Sequence, residues 1–298
     1  VAVIPYGLNS EYAQLTGVLL YPPGPEVANH PDPAAIQQLR PINHDLMQQE
    51  YVAAMAAFAR RGIRVETIDG TPLGDDREYR YNMMYCRDLF FMTPRGAIMA
   101  AMANPTRRGE VRYAARTMER LGLPILHAVG GDGRFEGADA LWLREDLVIV
   151  GVGNRTNRTG FDQIASVLSC QGVGCIPLPS VQTKTQHLLG SLQIVDRDLA
   201  LVREEIIDPE VTRFLQDQGF TVTGIGESRE VRELQAMNIV VIAPRTIFMT
   251  AGCPATREIY QRAGLAVAAE LEISQLINGA GGLACATGII ARARTADD

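Results

Sequence analysis

Short apolar runs and amphipathic stretches recur along this chain in a fixed order of strand, helix and strand pair, and this rhythm constrains the fold more than any other feature. Residues 17–21 (GVLLY) read as a buried strand cut off by Pro22, Pro23 and Gly24. Residues 44–61 place Leu46, Tyr51, Met55 and Phe58 at helical spacing, and Gly62 closes the helix. A strand follows at 64–68, then a strand pair at 89–92 and 97–99 broken by Pro94–Gly96, then a helix at 112–121 ended by Gly122. The stretch 141–152 is strand-like with a turn at 144–146. It leads to a helix at 161–170, a strand at 174–178 and a hairpin over 192–202 that turns at 196–198. A helix at 209–218, strands at 239–243 and 246–249, a helix at 254–263 and a final strand at 283–291 complete the series. Elements alternating in this way, with no low-complexity linker between them, predict one α/β domain over residues 1–298.

The composition narrows the function. At 298 residues and 47% hydrophobic, the chain buries a large core without staples. Its net charge of −6 argues against a nucleic-acid binder, which needs a basic face. There is no run of eighteen apolar residues for a membrane span. The opening VAVIPYGLNSEYAQL lacks an initiator Met and does not read as a signal peptide. Five scattered cysteines fit a reduced, cytoplasmic setting better than a disulfide frame, and four histidines argue against a His-rich metal site. Neither G-x-G-x-x-G after a first strand nor G-x-x-x-x-G-K-[ST] is present, so nucleotide cofactors gain no support.

The most unusual segment is NGAGGLACAT at 278–287, where glycines lead into Cys285. Glycine permits a close backbone approach to a ligand, though a lone Cys after glycines more often reads as a small buried apolar residue. His187, in TKTQHLLGSLQIV, reads alone as structural or exposed, yet Cys with His is the minimal machinery of covalent catalysis. Taken singly, Asp88 ahead of LFFM reads as a cap or ion-pair partner, Glu136 and Asp139 in FEGADALWL as turn formers, and Arg155 as a surface arginine.

Read together, YNMMYCRD, FEGADALWL, VGVGNRTN, QHLLGSL, TAGCPATREIYQRAGL and NGAGGLACAT resemble, in order and spacing, the guanidino-group-modifying enzymes. That superfamily contains arginine deiminase, dimethylarginine dimethylaminohydrolase, arginine dihydrolase and the amidinotransferases, and the resemblance runs from Asn9 to Arg292. It implies a five-bladed α/β propeller with the site on its axis. The spacing agrees: 48 residues separate Asp88 from Glu136, 51 separate Glu136 from His187, and 98 separate His187 from Cys285, against about sixty per blade in a five-bladed chain of 298.

The resemblance also implies roles. Cys285 is the nucleophile and His187 the general acid/base, while Asp88 and Glu136 grip a planar guanidinium through charge-assisted hydrogen bonds. Arg107 and Arg155 match positions that bind an α-carboxylate, Asn82 a position at the amino-acid end of the substrate, and Asp139 a supporting turn residue. No metal or cofactor is implied. The partner is a small guanidino substrate, without nucleic acid or membrane, and a homo-oligomer is compatible with the sequence. Two departures stand out. His187 is followed by Leu188–Leu189 where deiminases and amidinotransferases usually carry His-x-Asp, and Ala284 replaces the arginine that precedes the nucleophile in deiminases. The expected activity is hydrolysis of arginine or a derivative, with an amidinotransferase as the alternative and a non-catalytic propeller as the third reading.

Overall fold

The computed structural model describes residues 6–73, 80–180 and 186–294. The expected rhythm is present as five three-stranded sheets, each with the same internal order. An antiparallel pair comes first, a helix crosses over, and a third strand returns parallel to the second. β1 (Leu15–Leu20), α1 (His44–Arg60) and β2 (Arg64–Thr67) form most of one sheet. The next contains β3 (Phe90–Thr93), β4 (Gly96–Met99), α2 (Val111–Leu121) and β5 (Ile125–Ala128). It is followed by β6 (Ala140–Arg144), β7 (Leu147–Val152), α3 (Arg158–Ser169) and β8 (Gly174–Pro179). The fourth comprises β9 (Leu192–Asp196), β10 (Leu199–Arg203), α4 (Pro209–Asp217) and β11 (Thr221–Ile225). A short α5 (Arg229–Glu233) leads to β12 (Val240–Ala243), β13 (Thr246–Thr250), α6 (Pro254–Arg262) and β14 (Ala266–Leu271). After α7 (Ser274–Asn278) and α8 (Leu283–Ala286), the last strand β15 (Gly288–Arg292) pairs antiparallel with β1, so the two ends of the described chain are tied into one sheet. This is the five-bladed α/β propeller.

Each blade buries its antiparallel pair more deeply than its third strand. β3, β4 and β15 are buried throughout, whereas β5 and β11 are half-exposed. Trp142 is fully buried on β6, stacked 5.8 Å from Phe91 with its indole N–H donated to the Met92 carbonyl, which locks two neighbouring blades together. The helices obey local rules: Asn43, Asn157 and Asp208 cap α1, α3 and α4 through side-chain oxygens that accept backbone N–H groups. One expectation fails locally. Residues 283–291 are not a single strand, because α8 makes one helical turn at 283–286 before β15 begins at Gly288.

Candidate active site

Four of the expected site residues sit at equivalent places, just ahead of the first strand of a blade. Asp88 ends a helical turn before β3, Glu136 and His187 each precede a turn that enters β6 and β9, and Cys285 lies on α8 ahead of β15. The ring therefore brings residues nearly two hundred apart in sequence to one cavity of about 240 Å³, whose wall includes Asn82, Asp88, Arg107, His187, Leu189 and Cys285.

The ion pairs give the cavity its chemistry. Nε2 of His187 lies 2.6 Å from Oε2 of Glu136, and its Nδ1 lies 3.7 Å from Oδ1 of Asp88. Burial disfavours the imidazolium, but Asp88, Glu136 and Asp139 outweigh it and raise the His187 pKa to about 9. Burial likewise penalises the Glu136 carboxylate, yet the hydrogen bond and charge of His187, with Arg107 and Arg155, hold it down at about 2. At neutral pH the pair is therefore an imidazolium facing a carboxylate. Asp88, Glu136 and His187 each offer one ligand atom, all within 4.8 Å of one another, which is also a spacing that a cation could bridge. Here the short contact is a hydrogen bond between the two side chains.

The expected carboxylates divide their work. Asp88 lines the cavity and keeps one oxygen, Oδ1, buried without a hydrogen-bond partner, while Oδ2 accepts from Nη1 of Arg107 at 2.7 Å. Glu136 is fully buried and does not line the cavity. It accepts from the Ala103 N–H and sits behind His187. Asp139 accepts from the Thr156 hydroxyl and from the Leu188 N–H, which pins the turn that carries His187. Burial raises its pKa to about 6, against the charge of His187 and those two hydrogen bonds.

Arg107 is committed to the chain itself. It donates to Asp88, to Glu110 and to the Asn82 carbonyl, so an α-carboxylate would compete with two carboxylates for it. Arg155 donates to Gln186 on the cavity wall and has Nη1 3.5 Å from Oε1 of Glu136. Asn82 donates to the Ile36 carbonyl, and its buried Oδ1 has no hydrogen-bond partner.

Sequence reasoning missed Glu110 and Asn238. Glu110 is nearly inaccessible and binds Nε of Arg107 at 2.9 Å, three residues along the chain. Burial raises its pKa to about 7 against the pull of Arg107. Asn238 lies two residues before β12 begins and touches Cys285 twice. The sequence carries a signal for it, because it stands 51 residues after His187 and 47 before Cys285, at the module spacing that separates the other four blade entries. Cys285 itself is half-buried. Burial and Asp88 push its thiol pKa up, while hydrogen bonds from Asn238 and the Gly282 backbone, and the charge of Arg107, pull it down. The glycines before it lie against protein side chains: a Cβ on Gly281 would overlap the Tyr85 ring, and one on Gly282 would lie 2.6 Å from the Asn238 amide carbon.

A thiol, an imidazole and a carboxylate whose Oδ1 lacks a hydrogen-bond partner thus line one small cavity. Residues 80–219 match the model of the arginine deiminase family. The dimethylarginine dimethylaminohydrolase of Pseudomonas aeruginosa is 26% identical over 226 residues, 76% of this chain and 83% of that protein. An uncharacterized protein of Aeropyrum pernix is 27% identical over 191 residues, 64% of this chain and 66% of its own length. The solved structure of an amidinotransferase from Microseira wollei superposes with a TM-score of 0.77 at 14% identity, covering 99% of both chains. The chain is thus similar to the arginine deiminase family over residues 80–219 and to a dimethylarginine dimethylaminohydrolase over three quarters of its length, and it shares its fold with an amidinotransferase.

Proposed function

We propose that the protein hydrolyses the guanidino group of arginine or an arginine derivative through a covalent intermediate on Cys285. The observation that carries this reading is the Oδ1 atom of Asp88, buried and without a hydrogen-bond partner in the wall that also holds Cys285 and His187. A buried carboxylate oxygen in that position calls for an N–H donor with positive charge, and a guanidinium presents such donors in a plane. An acyl substrate would instead need donors aimed at a developing oxyanion. The backbone N–H of Cys285, one natural candidate for that role, is already taken by Asn238.

The steps follow from the charges. Burial and Asp88 keep the Cys285 thiol protonated at rest, and a bound guanidinium reverses that bias by placing a cation beside the sulfur. The thiol proton leaves to solvent, the thiolate attacks the guanidinium carbon, and the C–N bond to one nitrogen breaks as His187 gives that nitrogen its proton, releasing ammonia or an amine. Neutral His187 then takes a proton from water. The resulting hydroxide adds to the amidino carbon, and the C–S bond breaks as the added hydroxyl passes its proton to the departing sulfur, leaving a ureido product and the resting thiol. Leu189 lines the cavity where related sequences usually carry a second carboxylate, which suits a substrate with an N-alkylated guanidine. The amidinotransferase reading rests on the shared fold with an enzyme of that kind. Incubation with arginine, methylated arginines, agmatine and guanidino acids, with products identified by mass, tests the proposal. Ammonia or an amine released without an acceptor supports hydrolysis. Turnover that requires an acceptor amine overturns it.

A further inference from the structure

Asn238 spans the nucleophile turn from a neighbouring blade. Its Oδ1 accepts from the backbone N–H of Cys285 at 3.1 Å, and its Nδ2 donates to Sγ of Cys285 at 3.0 Å. The first contact fixes the orientation of the amide: a backbone N–H can only donate, so the oxygen faces it and the NH2 group faces the sulfur. The side chain is held in place. Asn238 is buried, its own N–H donates to the Gln235 carbonyl at 2.8 Å, and its carbonyl accepts from the Ala284 N–H at 3.4 Å. Gly282 has no side chain at the point where a Cβ would strike the amide, so the last glycine before the nucleophile makes room for this contact. Around the ring, Asn238 occupies the place that Asp88, Glu136, His187 and Cys285 occupy on the other four blades.

We propose that Asn238 is a positioning residue that orients Cys285 and stabilises its thiolate relative to its thiol. This rests on Cys285 being the nucleophile. An N–H donor strengthens its hydrogen bond when the acceptor becomes an anion, so Asn238 favours the reactive form of the sulfur. The charged and titratable groups that bear on that sulfur are Asp88 and Arg107 from the next blade and Tyr85 on the cavity wall, and His187 lines the same cavity. Asp88 works against the thiolate, and Asn238 offsets it without adding a cation that would repel a guanidinium. The double contact also sets the direction of the sulfur, because one rigid amide grips the backbone and the side chain of the same residue.

Asn238→Asp separates the two contacts. It keeps an oxygen for the Cys285 N–H and places a carboxylate against the sulfur. The measurement is the pH dependence of Cys285 alkylation by iodoacetamide, with the site mapped by mass, alongside kcat and KM. We expect the apparent thiol pKa to rise by about one unit or more, alkylation at pH 7.5 to slow by about tenfold, kcat to fall and KM to change little. Asn238→Ala gives the same direction and decides the matter if the Asp variant does not fold. Alkylation profiles that overlay the wild type in a folded variant overturn the proposal, whatever happens to kcat, because a purely structural role would not move the thiol pKa. Failure of the wild type to turn over any guanidine would sink the functional reading while leaving this test intact.

Discussion

The Glu136–His187 pair makes a quantitative prediction. Glu136→Gln keeps the size and hydrogen-bonding capacity of the side chain and removes its charge. The 2.6 Å contact is a hydrogen bond between two ionised, buried groups. Hydrogen bonds to charged groups contribute about 1.5–3 kcal/mol, which corresponds to roughly one to two pKa units on the imidazole. Asp88, 3.7 Å from Nδ1, and Asp139 remain. The His187 pKa should therefore fall from about 9 to roughly 7–8. With only four histidines in the chain, imidazole NMR resolves the titration directly. In parallel, the alkaline limb of kcat/KM should move down by the same amount. At pH 7.5 only about half of the variant would then carry the proton needed by the leaving group. A His187 titration within a few tenths of a unit of wild type would refute the argument that Glu136 holds the imidazolium.

Other outcomes are expected. Cys285→Ser should fold and lose several powers of ten in kcat, because a hydroxyl does not ionise near neutral pH; more than about a tenth of wild-type turnover would contradict a covalent mechanism on Cys285. The raised pKa of His187 stabilises the fold fully below about pH 6.5 and is lost as pH rises through about 9. The lowered pKa of Glu136 contributes above about pH 4.5 and is lost toward 2. Unfolding by urea should therefore show a loss of up to roughly 3 kcal/mol in wild type between pH 6 and pH 10 that His187→Gln does not show. Gly282→Ala should cost about 1–3 kcal/mol by driving a methyl group into the Asn238 amide, read as a lower denaturant midpoint. Arginine should exceed agmatine by about a hundredfold or more in kcat/KM, and Arg155→Ala should narrow that gap; equal use of both substrates by the wild type would exclude a carboxylate clamp.

Much of this architecture was legible in the sequence. The first two strands of the blades announce themselves as paired apolar runs around tight turns, as at 89–99 and 192–202, because both strands of each pair are buried. The returning strands β5, β11 and β14 escaped notice. ILHA, TVTGI and AVAAEL are half-exposed edge strands whose pairing comes from the crossover, so they are built of small or mixed residues rather than the large apolar runs of the buried pairs. The α8 turn was hidden because LACA is as apolar as the strand that follows it. Module spacing and resemblance located Asp88, Glu136, His187 and Cys285, but the division of labour between the two carboxylates depends on which of them faces the cavity. Arg107 reads in the sequence as a carboxylate ligand, and the structure adds what the sequence does not show: it lines the cavity while its three nitrogens donate to Glu110, Asp88 and the Asn82 carbonyl.

Attack of Cys285 on a guanidinium carbon leaves a mark on the protein itself, which the mass of enzyme quenched during turnover reads out. His187→Ala removes both the proton for the leaving nitrogen and the base for water, so it is paired with an S-alkyl isothiourea analogue of arginine, whose thiolate leaves without a proton. Incubation of that variant with the analogue should then yield an amidino adduct on the peptide containing Cys285, absent when Cys285→Ser is added. An adduct on another residue, or product formation by the Cys285→Ser enzyme at near wild-type rate, would contradict the account.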